Sequence, residues 1–137
     1  MRRPNALVTV PVLVVLALGG CTTTNQSSSS KDFKGEAKKV ADVIGELETA
    51  GQRKDPDKIC SDVLSAKLVE QLKSGGSTCV DEMDLAIGDA DDYSLTVEDV
   101  TVNGNTATAK VKNGDDGPTA TLEFAKERAG WRATSLG

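Results

Sequence analysis

Three cysteines are the residues of this chain best suited to covalent chemistry, and no histidine accompanies them. They stand at Cys21, Cys60 and Cys79. Histidine is the commonest general base and transition-metal ligand near neutral pH, so its absence argues against Ser/His/Asp, Cys/His and zinc chemistry. We therefore expect the cysteines to carry a lipid or a disulfide, and we expect neither a metal site nor a cofactor.

The segment before Cys21 has the three parts of a secretory signal. Two arginines supply a basic start, an apolar core covers residues 6–18, and two glycines precede the cysteine. A helix that spans a bilayer needs about 20 apolar residues. Because this core is shorter, the pattern favours a signal peptide over a transmembrane helix.

Leu18-Gly19-Gly20-Cys21 resembles the lipobox of bacterial lipoproteins. The resemblance implies that a diacylglycerol is attached to the Cys21 thiol and that cleavage makes Cys21 the mature N-terminus. Two or more acyl chains anchor a protein stably. We therefore expect a lipid-anchored protein on the extracytoplasmic face of the cell membrane. The alternative is an ordinary secreted protein whose first cysteine pairs elsewhere.

The pattern divides the chain into a signal peptide at 1–20, a lipidated cysteine with a polar tether at 21–30, and one domain at 31–137. Residues 22–30 lack charge and apolar side chains, which is typical of a flexible spacer. The whole chain has a net charge of −5 and no basic stripe. Phosphate backbones repel such a chain, so we expect no nucleic-acid partner.

The first half of the domain has the period of amphipathic helices, interrupted by capping residues. The first helix has a stripe of apolar residues spaced three or four apart: Phe33, Ala37, Val40, Ile44 and Leu47. Asp55-Pro56 predicts a second helical start, polar residues at 61–65 divide that helix in two, and Gly75-Gly76 ends it. We expect Ser77 to cap the next helix, with Cys79 on its apolar face.

After residue 92 the apolar period changes to two, which indicates strands with one buried face. Four strands are predicted, at residues 93–102, 106–112, 119–126 and 131–136. A change of parity at Glu98-Asp99 indicates a β-bulge. Ala120 is expected to face inward with the apolar residues that follow it. Helices followed by an antiparallel meander predict an α+β fold, with the N-terminal helices packed on one face of the sheet.

Cys60 and Cys79 lie on the apolar faces of neighbouring predicted helices. If Cys21 is lipidated, the other two form an even pair in an exported chain, which favours a disulfide. In the chain-entropy model, closing a loop of about 20 residues stabilises a fold by roughly 3 kcal/mol. Two buried free thiols or a redox pair are the alternatives, although no CxxC motif is present.

The domain resembles the small NTF2-like domains found on actinobacterial lipoproteins. Four stretches carry the resemblance: 41–72, 77–79, 97–111 and 130–136. The resemblance implies helices that wrap a strongly bent four-stranded sheet to form a cone with an internal pocket. It also places a cysteine near Cys60 on the second helix and a tryptophan like Trp131 on the closing strand. Residues expected to line the pocket are Leu95, Val97, Ala107, Ala109, Leu122, Phe124 and Trp131.

That superfamily contains isomerase-like and hydrolase-like enzymes as well as non-catalytic binding modules. The isomerase type needs an Asp base and an oxyanion hole made of Tyr and a protonated acid. Tyr93 is the sole tyrosine, and the inward strand positions hold no carboxylate. We therefore expect no catalytic residue, and enzymatic activity ranks third behind a binding module and an interaction domain.

The acidic turns at 88–92 and 113–116 do not match the spacing of an EF-hand, so solvated turns are the better interpretation. The remaining hypothesis is a non-catalytic binding module that holds an apolar small molecule or a peptide in the cone. The small inward side chains of Ala107 and Ala109 motivate it, since they could leave space beneath the helices. A protein-interaction domain or a homodimer that uses the open sheet face is the alternative.

Overall fold

A computed structural model describes Ser30, residues 32–90 and residues 93–137. The helical half contains α1 (Gly35–Gln52), α2 (Pro56–Lys58), a π-helical turn (Ile59–Val63), α3 (Ala66–Ser74) and α4 (Cys79–Gly88). The sheet contains β1 (Leu95–Asn103), β2 (Thr106–Asn113), β3 (Thr119–Glu127) and β4 (Gly130–Ser135). The predicted α+β class is confirmed. The predicted signal peptide and Cys21 lie outside the described residues.

Helix α1 crosses the inner face of the sheet from the start of β4 to the start of β1. Near its first turn Glu36 accepts a hydrogen bond from the indole of Trp131, and near its end Glu48 accepts one from the Leu95 N–H. The predicted apolar stripe of this helix is buried at Val40, Ile44 and Leu47. Phe33 was expected to begin the helix but precedes it, because the backbone at Lys34 is still extended.

The short helices begin and end at capping residues. Asp55 accepts a hydrogen bond from the Lys58 N–H at 3.0 Å, and Ser65 caps α3 in the same way at 3.1 Å. The predicted helical start at Asp55-Pro56 and the predicted division of that helix at residues 61–65 are therefore confirmed. The cap of α4 is Thr78, which accepts from the Asp81 N–H at 3.1 Å. The expectation of Ser77 was wrong by one position, because α4 begins directly at Cys79 and Thr78 supplies the same hydroxyl chemistry.

The four strands form one antiparallel sheet in the order β1-β2-β3-β4. The register between β1 and β2 shifts between Val97 and Asp99, which confirms the predicted bulge. A second, unpredicted shift lies between Glu123 and Phe124. The helical half is attached to the outer edge of β4, where Leu64 bridges to Ala133. That edge of the sheet is consequently covered.

The core lies between the inner face of the sheet and the helices, and it consists almost wholly of aliphatic side chains. Ala107 and Ala109 are 4% and 1% exposed, so the helices fill the space above these small residues. Ala120 has the inward parity but is exposed. It lies at the start of β3 beside an apolar cavity rather than beneath a helix.

Cys60 and Cys79 form a disulfide, with their Cα atoms 6.1 Å apart. The bond joins the π-helical turn to the first residue of α4 and confirms the predicted pair. No helix within residues 30, 32–90 and 93–137 is both long and apolar enough to cross a bilayer.

Candidate functional site

The largest cavity among those described is a groove of about 650 Å³ on the outer face of the sheet, which we term the sheet-face groove. Its lining comes from all four strands, from the start of α3 and from the residue that caps α3. The lining residues are Ser65, Lys67, Gln71, Thr101, Asn103, Thr106, Ala107, Thr108, Glu123, Phe124, Ala125 and Thr134.

Strand register brings the floor of the groove together. Thr101 pairs with Thr108, and Thr108 pairs with Glu123, so the three side chains form one row on the face opposite the core. Each of the three is exposed. Lys67 and Gln71 are four residues apart on α3 and therefore share one side of that helix, beside the row. Because side chains alternate between the two faces of a strand, the residues of this row do not pack against the core.

The chemistry of the sheet-face groove is that of neutral hydrogen-bonding groups. Nine of its twelve lining residues are polar, and most of these carry a hydroxyl or an amide. Hydroxyls and amides both donate and accept hydrogen bonds. Lys67 and Glu123 add one positive and one negative charge. The groove can therefore satisfy a ligand that presents alternating donors and acceptors.

The seven residues expected to line a cone pocket are all buried on the inner face of the sheet. They are Leu95, Val97, Ala107, Ala109, Leu122, Phe124 and Trp131. Five of them also line one of three separate cavities. Leu95 and Leu122 line a small apolar cavity, Ala107 and Phe124 border the sheet-face groove, and Trp131 lines a charged groove beside α1. Val97 and Ala109 are part of the core.

The small apolar cavity, which we term the Tyr93 cavity, has a volume of about 140 Å³. Its lining is Leu47, Tyr93, Leu95, Val111, Asn113, Ala120, Leu122 and Leu136. Burial raises the pKa of the Tyr93 hydroxyl above its ordinary value. The volume is below the roughly 300–1,000 Å³ that is usual for ligand pockets. This cavity therefore has room for a small apolar group only.

Trp131 lies beside a network of three charged residues, and we term the four together the Trp131 cluster. Its indole Nε1 donates to the Glu36 carboxylate at 2.7 Å, and the same carboxylate pairs with Lys39 at 2.7 Å and Lys126 at 3.0 Å. These bonds, with the one from Lys39 the strongest, lower the pKa of Glu36 to about 2. The Lys126 ammonium also lies 5.9 Å from the centre of the Trp131 ring.

Sequence reasoning found Trp131 but missed the partners that orient it. Lys126 and Trp131 are register partners across the predicted turn at 127–130, so the hairpin itself was the available signal for Lys126. Glu36 lies 95 residues from Trp131, and no local pattern connects them. Acidic residues are common in the first turn of a helix, so the sequence does not indicate that Glu36 binds Trp131.

Within the described part of the chain, no group of three or more His, Cys, Asp or Glu residues could hold a metal ion. Asp115 and Asp116 are exposed in the turn between β2 and β3. Of the carboxyl groups described, those with a clear pKa shift are Glu36 and Asp62, and both shift downward. For Asp62 the cause is the hydrogen bond from Lys58, at 2.7 Å.

No protein-family model matches this chain, and neither a curated protein nor a solved structure has a significant similarity to it.

Proposed function

We propose that this chain is a lipoprotein of the cell envelope, anchored through a lipid on Cys21, with a non-catalytic binding domain. The sequence of residues 1–30 supports the anchor: a basic start, a short apolar core, a lipobox-like stretch and a polar tether. Helices packed on a four-stranded antiparallel sheet, with Cys60 in the second helical segment and Trp131 on the last strand, support an NTF2-like domain.

The ligand we propose is an extended, polar peptide segment of a partner protein, bound in the sheet-face groove. The observation that carries this proposal is the groove of about 650 Å³ on the outer face of the sheet, bordered by α3. Its volume is within the usual range of ligand sites. Its hydroxyls and amides complement the alternating N–H and C=O groups of a peptide backbone.

The groove is tested by selecting peptides from a random library on the full chain in detergent. The dissociation constant of a selected peptide is then measured for the wild type and two variants. Thr108→Arg fills the middle of the groove, and Thr121→Arg places the same side chain on the same sheet face outside it. We expect Thr108→Arg to weaken binding about tenfold or more and Thr121→Arg to leave it unchanged. Equal effects of the two variants, or a selection that yields no peptide, would refute the proposal.

A second candidate ligand is a small apolar group in the Tyr93 cavity, which the apolar lining of that cavity favours. Benzene, which fits a cavity of about this size, serves as the probe. Ala120→Phe fills the cavity from its exposed side, so it should abolish saturable binding of benzene while Thr108→Arg has no effect. The two candidate sites therefore respond to different substitutions.

The anchor has its own test, by mass spectrometry of the membrane fraction. We expect an N-terminal peptide that begins with an acylated Cys21. An intact bond between Gly20 and Cys21 in the membrane-bound protein would refute the anchor and leave the groove proposal untouched.

A further inference from the structure

Strand β1 is an edge of the sheet, and two of its last five residues direct their backbone groups away from β2. Asn103 and Thr106 flank a two-residue turn, so they form a pair bonded in both directions. Bonded and non-bonded pairs alternate along an antiparallel ladder. Asp99 and Thr101 therefore also direct their backbone groups toward β2. Val100 and Val102 direct theirs outward, away from the sheet.

The side-chain hydrogen bonds of α1 to this region lie at the opposite end of the strand. Glu48 accepts one from the Leu95 N–H, and Gln52 donates one to the Tyr93 carbonyl just before β1. Within the described residues, none of the backbone hydrogen bonds made by turns, loops and caps reaches Val100 or Val102. Both valine side chains are half-buried and pack against the edge of the core.

We propose that this edge pairs, antiparallel, with the same edge of a second copy of the chain. A two-fold axis at Thr101 sets Val100 opposite the partner's Val102, and Val102 opposite the partner's Val100. These two pairs form about four inter-chain hydrogen bonds. The same register packs valine against valine on the inner face. If the axis lay at Val100 or at Val102, only one valine of each copy would form inter-chain hydrogen bonds through its backbone N–H and C=O groups.

Charge favours the same register. With the axis at Thr101, Asp99 lies opposite the partner's Asn103, and Glu98 lies opposite the Gly104-Asn105 turn. The acidic residues Glu98 and Asp99 of each copy thus face a neutral turn with amide donors. Opposed carboxylates, which destabilise a strand pair, are avoided. The bulge at Glu98 limits the pairing to residues 99–103.

The assembly closes as a dimer. The other edge of the sheet, at β4, is covered by Leu64 and Ser65, whose N–H donates to the Ala133 carbonyl at 2.9 Å. Among the residues that the structure describes, each chain thus has one uncovered sheet edge, and a two-fold pairing uses it. Thr101 and Asn103 also line the sheet-face groove. The dimer would therefore place two grooves side by side on one eight-stranded sheet.

Cysteine cross-linking on the full chain in detergent tests the pairing. In a non-hydrogen-bonded antiparallel pair the Cβ atoms are close enough for a disulfide after slight adjustment. We expect oxidation of Thr101→Cys to give a covalent dimer in about tenfold higher yield than Thr121→Cys, an exposed position on the same face but on β3. Peptide mapping identifies the substituted positions as the ones joined.

Two further substitutions test whether the edge itself makes the contact. Val100→Pro, combined with Thr101→Cys, removes an N–H that β2 does not use. Val102→Lys, in the same background, places a charge on the edge. We expect both to reduce cross-linking to the level of Thr121→Cys, with circular dichroism unchanged for at least Val102→Lys. Cross-linking of Thr101→Cys no stronger than that of Thr121→Cys, or cross-linking that survives Val102→Lys, would overturn the proposal. Thr108→Arg should leave the cross-linking unchanged, so failure of this proposal can be distinguished from failure of the groove proposal.

Discussion

The inner and outer faces of the sheet carry different work, although their residues alternate along the same strands. Phe124 is 3% exposed beneath the helices, whereas Glu123, its neighbour in sequence, is exposed on the floor of the sheet-face groove. Packing constrains each inward side chain, because space and apolar character must both match. Most outward side chains are exposed, so packing constrains them far less. The comparison teaches that the inner face holds the fold together, while the outer face is free to serve binding.

The largest expected effect on stability comes from truncating a buried side chain on the inner face. Phe124→Ala should lower the free energy of unfolding by about 3–5 kcal/mol, because it removes a buried ring and leaves a cavity. Glu123→Ala, on the outer face, should change it by no more than about 0.5 kcal/mol. Urea denaturation followed by the fluorescence of Trp131, the sole tryptophan, measures both. Similar costs for the two variants would contradict the division between the faces.

The disulfide should give the next largest effect, since it holds the helices that cover the inner face. Replacing both Cys60 and Cys79 by alanine should cost about 3 kcal/mol in the chain-entropy model, because the unfolded loop is no longer closed. The sequence separation of the two cysteines is 19 residues. The same urea titration, run on wild-type protein with and without a reducing agent, provides the control. A transition that does not move on reduction would contradict the prediction.

A close contact at the border of the inner face should give a smaller effect. A Cβ atom at Gly51 would lie only 2.2 Å from Cδ1 of Tyr93, so Gly51→Ala must displace the ring. We expect a cost of about 1–3 kcal/mol, as for other overpacked sites. Gly88→Ala is the matched control, because a Cβ there meets nothing within 4 Å. Thermal unfolding compares the two, and replacing Tyr93 by alanine should relieve the cost of Gly51→Ala.

The smallest effect is expected from Glu36, whose pKa is lowered from 4.5 to about 2. A carboxyl with a depressed pKa stabilises the folded state above its unfolded pKa, and this stabilisation is lost as the pH falls toward the folded value. The wild type should therefore lose more stability than Glu36→Gln between about pH 4.5 and pH 2. Because Glu36 is partly solvent-exposed, the difference should be slight.

Urea titrations at several pH values within that window measure the difference for Glu36. Glu123→Gln serves as the control for a general effect of removing one carboxylate. Parallel pH profiles for the wild type and Glu36→Gln would show that the Trp131 cluster contributes no such stabilisation.

Local patterns were sufficient for most of the fold. The spacing of Val40, Ile44 and Leu47 predicts the buried stripe of α1, and the alternation around Ala107 and Ala109 predicts which face of β2 is buried. Capping residues predicted the helix ends because their chemistry acts on N–H groups only a few residues away. The misplacement of the α4 cap at Ser77 instead of Thr78 reflects two adjacent hydroxyls that satisfy the same rule.

The candidate sites were less predictable, because each depends on residues distant in sequence. The sheet-face groove needs α3 beside the row of Thr101, Thr108 and Glu123, and no periodicity reports where a helix lies relative to a sheet. The expectation of space above Ala107 and Ala109 rested on their small side chains. Whether such space is filled depends on the helix that packs against it, and here α1 and its neighbours fill it.

The amino-acid sequence by itself determined the helices, the strands, the bulge at Glu98-Asp99 and the residues available for a disulfide. These follow from interactions within a few residues and from the alternation of burial. Only the tertiary structure decided that Glu36 binds Trp131, that Gly51 admits the ring of Tyr93, and where the cavities lie. The physical reason is that these contacts join residues tens of positions apart, whose distance is set by how whole elements pack.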